Sequence, residues 1–106
     1  MNIMATNISW FVKPGAGATS TLYTATGKEI VSTIMVSNTS TSTTFTIWLV
    51  PSGQSTWDTY AFPKGSAIEA NNEIDFVRPL TLSLWDTIQV SSASGNVAFS
   101  FSWQKQ

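Results

Sequence analysis

Apolar residues alternate with small polar residues along most of this chain. The alternation is clearest near the C-terminus, where single Ala or Ser residues separate Val97, Phe99, Phe101 and Trp103. Because neighbouring side chains of a β-strand point to opposite faces, this period of two predicts a strand with one buried side. The apolar spacing of amphipathic helices is nearly absent. The pattern therefore predicts an all-β protein.

Turn-forming residues divide the chain into about eight short predicted strands. These strands cover residues 8–12, 19–24, 29–37, 44–50, 73–77, 80–84, 86–91 and 97–103. Pro79 is expected to interrupt the chain between the fifth and sixth strands. Many short strands at this spacing are typical of a sandwich or small barrel. We predict a single antiparallel β-sandwich of jelly-roll type over residues 8–106, preceded by a flexible arm at residues 1–7.

Two of the predicted strands carry apolar residues on both faces. Strict alternation places Val31 and Met35 opposite Ile34, and it places Trp48 opposite Ile47. In a lone two-layer sandwich the outer face of each sheet meets water. We therefore interpret Val31, Met35 and Trp48 as candidates for contact with another subunit.

Composition removes several classes of function. Only 10% of the 106 residues are charged, the formal net charge is -1, and about 30 residues are Ser or Thr. The five cationic residues are scattered rather than clustered, so we do not expect nucleic acid as a partner. The chain has no His and no Cys, which removes the commonest general base and the usual metal ligands. No cofactor is expected.

The sequence shows no segment that predicts membrane insertion or secretion. Its longest apolar run, residues 47–50, is far shorter than a membrane span. Residues 1–7 lack a cationic stretch followed by an apolar run, so no signal peptide is expected. We predict a protein that is made in a cytoplasm and does not enter a membrane.

One pair of carboxylates is close enough in sequence to suggest chemistry. Glu73 and Asp75 lie two residues apart on one face of a predicted strand, a spacing that a glycosidase or a calcium site could use. The alternative is a solvated face opposite Ile74 and Phe76, and we favour it. No enzyme activity is predicted.

The aromatic residues allow two interpretations. The chain has five Trp residues, and aromatic faces stack on sugars. Trp48, Trp57, Tyr60 and Trp85 are the candidates for such a surface. Packing in the core or at a subunit interface is the alternative, and the sequence alone leaves both open.

Several segments together resemble small Ser/Thr-rich bacteriophage virion proteins. They are the sequences Thr-Leu-Tyr-Thr-Ala at 21–25, Ile-Val-Ser-Thr-Ile at 30–34, the hydroxyl-rich hairpin at 38–43, Val-Pro-Ser-Gly at 50–53 and Trp-Asp-Thr-Ile at 85–88. The last is similar to a Gly-Asp-Thr-Ile element of that family, with Trp85 in place of the usual glycine. The likeness covers most of the chain from Trp10 onward.

This resemblance implies a virion component. The first expectation is a capsid decoration (cement) protein, which would bind the major capsid protein at capsomer junctions as a homotrimer. The alternative is a tail, fibre or baseplate module that binds a host-surface glycan through exposed aromatic residues. The resemblance implies no catalytic residues. Residues 1–7, 15–18 and 38–43 are the expected contact elements.

Overall fold

The computed structural model describes residues 7–53 and 65–105, and it confirms an all-β architecture. These residues form eight strands. The strands are β1 (Asn7–Val12), β2 (Thr19–Thr24), β3 (Glu29–Asn38), β4 (Thr43–Val50), β5 (Ser66–Ile68), β6 (Asn72–Leu82), β7 (Thr87–Ser92) and β8 (Val97–Lys105). Among these residues no helix could cross a lipid bilayer.

The strands form two four-stranded antiparallel sheets, in the orders β1-β8-β3-β6 and β2-β7-β4-β5. The pairing is nested: β1 pairs with β8, β2 with β7, β3 with β6, and β4 with β5. Such nesting arises when one long hairpin, with its tip between β4 and β5, rolls up into two layers. This is the jelly-roll arrangement, and it confirms the predicted sandwich.

The core lies between the sheets and is built by the predicted alternation. Val97, Phe99 and Phe101 of β8 are fully buried, whereas the Ala and Ser residues between them are only half-buried. The Phe99 ring meets Phe45 of the opposite sheet edge to face, with centroids 6.0 Å apart. Such aromatic contacts add to the free energy gained by removing apolar surface from water.

The predicted face of Val31 is wrong. Val31 is fully buried in the core together with Ile34, although strict alternation places the two on opposite faces. The registers of β3 with β8 pair Val31 with Trp103 and Thr33 with Ser102, so β3 holds one extra residue at Ser32. This β-bulge reverses the alternation, and it directs both Val31 and Ile34 inward.

The predicted break at Pro79 is also wrong, because β6 continues through it to Leu82. The registers of β3 with β6 pair Thr33 with Val77 and Val31 with Leu80, so β6 carries one extra residue around Pro79. The strand lies at a sheet edge. Proline lacks an N–H donor, and edges and bulges are the places in a sheet where that donor is not needed. The short strand β5 was not predicted.

Among the side chains that the structure describes, one charged group lies inside the fold. Glu29 is fully buried at the start of β3. Its Oε1 accepts hydrogen bonds from the Tyr23 hydroxyl at 2.6 Å and the Thr26 backbone N–H at 3.1 Å, and its Oε2 accepts one from the Thr26 hydroxyl at 3.2 Å. These donors compensate for the loss of water around the carboxylate. The cluster ties the end of β2 to the start of β3.

Because of the Glu29 cluster, we expect the free energy of unfolding to decrease at alkaline pH. Burial first, and then the hydrogen bond to Glu29, raises the pKa of the Tyr23 phenol above its usual value. The folded state therefore holds its proton when the unfolded state, with a tyrosine pKa of about 10, releases it. We expect the stability from this group to be complete below about pH 10 and to fall as pH rises further.

Urea unfolding measured between pH 8 and pH 11.5 tests this dependence. The Tyr23→Phe variant is the control, because it lacks the phenol while the other ionisable groups are retained. We expect its free energy of unfolding to fall less steeply above about pH 10 than that of the unsubstituted protein. Equal slopes for the two proteins would contradict the expectation.

Candidate interaction surface

The loops of the sandwich gather at two opposite ends. At the first, called the Trp85 end, lie residues 25–28, 51–53 and 83–86. At the second, called the Asn38 end, lie residues 13–18, 39–42, 69–71 and 93–96. Strand β6 has 11 residues and runs between the two ends. At about 3.3 Å per residue the ends are therefore on the order of 30 Å apart.

The turn at residues 83–86 holds a large side chain in an unfavourable backbone conformation. The Asp86 N–H donates to the Ser83 carbonyl oxygen at 3.0 Å, which closes the turn. Trp85 is the third residue of the turn and has a φ of 72°. A positive φ at this position alone is the type II pattern, which normally takes glycine. For a residue with a Cβ this conformation costs about 1–2 kcal/mol.

A second turn in the same chain has glycine at the position with a positive φ. The Ala18 N–H donates to the Gly15 carbonyl oxygen at 2.9 Å, and the third residue, Gly17, has a φ of 73°. The two turns thus share a hydrogen-bond pattern and a backbone angle, and they differ in the residue that occupies the strained position. Glycine is unstrained there because it has no Cβ.

Hydrogen bonds from several segments hold the 83–86 turn in place. Asp86 accepts one from the Ser52 N–H at 2.8 Å and another from the Ser83 N–H at 2.9 Å, so both carboxylate oxygens are engaged. The Trp85 N–H donates to the Ala25 carbonyl oxygen at 2.9 Å, and the Ala25 N–H donates to the Asp86 carbonyl oxygen at 2.8 Å. Strained residues persist where the surroundings determine their conformation in this way.

Two consecutive apolar side chains project from this turn. Leu84 is 48% exposed and Trp85 is 61% exposed. We call these two residues the apolar tip. Single exposed apolar residues are common on protein surfaces, but an exposed pair that includes a residue held in a strained conformation is not explained by stability.

A polar groove of about 290 Å³ occupies the Asn38 end. It is lined by Ser37, Asn38, Thr39, Asn71, Asn72 and Glu73. The Asn38 amide donates to the carbonyl oxygens of Thr41 at 2.8 Å and Glu69 at 3.0 Å, and its own oxygen accepts from the Ser40 N–H at 3.1 Å. The amide thus holds two loops together, and its hydrogen-bonding groups are used within the chain.

The predicted partner-contact residues that the structure describes lie in different environments. Trp85 is exposed, Met35 and Trp48 are half-buried on the outer faces of the two sheets, and Val31 is in the core. Two further candidates, Trp57 and Tyr60, lie outside the described residues. Of the four aromatic candidates for a stacking surface, the structure describes two, Trp48 on β4 and Trp85 in the turn at residues 83–86.

The carboxylates Glu73 and Asp75 lie on the outer face of β6, and both are exposed. Ile74 and Phe76 between and after them pack against the core. This is the solvated face, opposite Ile74 and Phe76, that we favoured from the sequence. Within residues 7–53 and 65–105, no three carboxylate, His or Cys side chains are grouped so as to hold a metal ion.

Comparison with known proteins assigns no relative. No family model matches the chain, and no curated protein is similar to it in sequence. The chain's own surface is therefore the basis for a function. On that surface, sequence reasoning missed three exposed apolar residues as contact candidates, namely Phe11, Val77 and Leu84. For Leu84 the sequence did indicate exposure, because this residue lies inside a Ser-x-x-Asp turn, where the side chains of the middle residues tend to face water.

Proposed function

We propose that this protein is a non-enzymatic capsid decoration protein, which stabilises a phage head by binding at junctions between capsomers as a homotrimer. The resemblance to small phage virion proteins motivates the proposal. Viral capsid and lectin domains are among the proteins that use the jelly-roll architecture, which agrees with it by analogy of fold. In this proposal the major capsid protein is the partner and the virion is the location.

The observation that carries the proposal is the placement of the exposed apolar residues. Phe11 on β1 is 66% exposed, Val77 on β6 is 78% exposed, and the apolar tip lies at the Trp85 end. Strands β1 and β6 are the two opposite edges of one sheet. Three separate apolar contact points around a small rigid body suit a position that is surrounded by several neighbours. A junction between shell subunits provides such a position.

The composition of the surface supports the same function. On the outer face of one sheet, Ser100 lies opposite Phe11 and Met35, and Met35 lies opposite Asp75. This face carries charge at its β6 edge, at Glu73 and Asp75, but its hydroxyl and apolar positions lose less hydration free energy than charged ones when a neighbour covers them. Many weak contacts of this kind add up when one trimer touches several shell subunits at once.

Molar mass and co-sedimentation test the proposal directly. Light scattering on a sizing column should give three times the chain mass of 11.5 kDa at micromolar concentration. The protein should also pellet with empty shells assembled from the major capsid protein of the same genome, and not with shells of an unrelated coat protein. A monodisperse monomer would contradict the trimer, and free protein left above the pelleted shells would contradict decoration.

A further inference from the structure

We propose that the apolar tip, Leu84 and Trp85, is the anchor that inserts into an apolar pocket of a repetitive protein lattice. This inference rests on the proposed function and names its main contact. It starts from the φ of 72° at Trp85, an angle at which glycine would be unstrained. The chain holds a bulky and 61% exposed indole there instead. A strained residue held in place by several hydrogen bonds points to a role in recognition.

The chemistry of the tip favours a protein pocket over a sugar. Sugar sites combine an aromatic face with convergent polar groups that bond to the hydroxyls. Beside Trp85, the Asp86 carboxylate already accepts the N–H groups of Ser52 and Ser83, one at each oxygen. The other neighbour is Leu84, which is aliphatic. The polar groove lies at the Asn38 end, on the order of 30 Å away along β6.

The rigidity of the tip suits an anchor. The Trp85 and Asp86 backbone is tied to Ala25 by two hydrogen bonds and to Ser52 through the Asp86 side chain. A backbone that is already held in its bound conformation loses little conformational entropy on binding. Tryptophan is one of the residues enriched at the energetic hot spots of protein interfaces, which lie in well-packed pockets.

The small size of the tip identifies the kind of partner. A stable pairwise interface buries about 800 Å² on each side. A tryptophan side chain contributes only about 150–250 Å² when buried, so two residues supply a minor part of that area. A second copy of this chain held by the tip alone would dissociate. A lattice of identical subunits overcomes this weakness, because linked copies of the protein engage several pockets at once.

Four full-length variants test the tip on empty shells of the major capsid protein encoded by the same genome. Trp85→Gly removes the indole and relieves the strained φ, so it should melt at a temperature equal to or higher than that of the unsubstituted protein. Trp85→Ala removes the indole and keeps the strain, so it should melt at a lower temperature than Trp85→Gly. Trp85→Phe keeps an aromatic ring. Lys28→Ser changes an exposed polar neighbour at the same end of the sandwich.

The expected result is a loss of shell affinity that depends on whether residue 85 has an aromatic ring and not on the melting temperature of the variant. Trp85→Gly and Trp85→Ala should both bind the shells at least about tenfold more weakly. Trp85→Phe should lose less than they do, and Lys28→Ser should bind within about twofold of the unsubstituted protein. Weak binding by a Trp85→Gly variant that melts no lower than the parent excludes misfolding as the cause.

Three results would overturn the inference. If Trp85→Gly binds the shells as well as the unsubstituted protein does, the tip is not the anchor, although decoration itself stands. If the unsubstituted protein does not bind the shells at all, the proposed function and this inference fail together. If immobilised oligosaccharides bind the unsubstituted protein but not the Trp85→Gly variant, the partner is a glycan and not a protein lattice.

Discussion

Replacing Val31 with lysine is expected to unfold the protein, whereas the same replacement at Met35 is expected to leave it folded. Val31 is fully buried, and its backbone lies between Leu80 on β6 and Trp103 on β8. An ammonium group there would lose its water without a partner. Substitutions that bury an unpaired charge cost more than about 4 kcal/mol, which is comparable with the whole stability of a small domain.

Met35 supplies a matched control because it is half-buried on the outer face of the same strand. Its backbone partner on β6 is Asp75, which is exposed. A lysine at Met35 would stand directly opposite this carboxylate, and opposite charges in such cross-strand pairs contribute roughly 0.2–1 kcal/mol. The Met35→Lys variant should therefore remain within about 1 kcal/mol of the unsubstituted protein.

Urea unfolding followed by tryptophan fluorescence measures both variants. The comparison is direct, because the two sites share one strand and receive the same side chain. Similar losses at the two sites would mean that Val31 and Met35 share one environment, as strict alternation predicted. A cooperative transition for Val31→Lys close to that of the parent would place Val31 on the surface and would refute the bulge at Ser32.

Replacing Glu29 with alanine is expected to lower the free energy of unfolding by about 3 kcal/mol or more. The change removes the acceptor of the Tyr23 hydroxyl and of the Thr26 N–H, and it leaves a cavity where the carboxylate stood. A buried donor without an acceptor costs about 1–3 kcal/mol, and the lost packing adds to that cost.

The Glu29→Gln variant separates hydrogen bonding from charge. Its amide oxygen can accept from Tyr23 and the Thr26 N–H, and its amide nitrogen can donate to the Thr26 hydroxyl, which also acts as an acceptor. The substitution removes only the additional strength that a charged acceptor gives to these hydrogen bonds. We therefore expect the free energy of unfolding to decrease by about 1 kcal/mol. Thermal and urea unfolding at pH 7 should therefore rank the stabilities as parent, Gln variant and Ala variant. An alanine variant as stable as the glutamine variant would contradict the role of the cluster.

The fold class was predictable because alternation is a local property of the chain. A run such as residues 97–101 carries its buried face in its own spacing, whatever strand it later pairs with. The same holds for Ile47, which the alternation placed opposite Trp48 and which the structure buries in the core. Turn residues then divide the chain into many short strands, which limits the architecture to a sandwich or a barrel.

The errors occurred where an extra residue enters a strand. The bulges at Ser32 and near Pro79 become visible only when two strands are compared residue by residue, since one strand alone has no register. One inserted residue turns every later side chain to the other face. For this reason Val31 was assigned to the surface, although its type and neighbours gave no sign of error.

The candidate contact surface was likewise predictable only in part from the sequence. Trp85 was a candidate from the sequence because it is one of the aromatic residues that could stack on a sugar. Only the tertiary structure showed that its φ is positive, that Leu84 stands exposed beside it and that Ser52 and Ala25 hold the turn. Those contacts join segments far apart in the chain, so no local pattern encodes them.

By itself, the sequence determined the all-β class, the sandwich and the buried face of β8, because side-chain alternation and turn chemistry act between neighbouring residues. The tertiary structure alone decided the strand register, the burial of Glu29 and the presentation of the apolar tip. Each of these depends on which distant segment supplies a hydrogen bond or an extra residue, and that partner is set when the two sheets pack together.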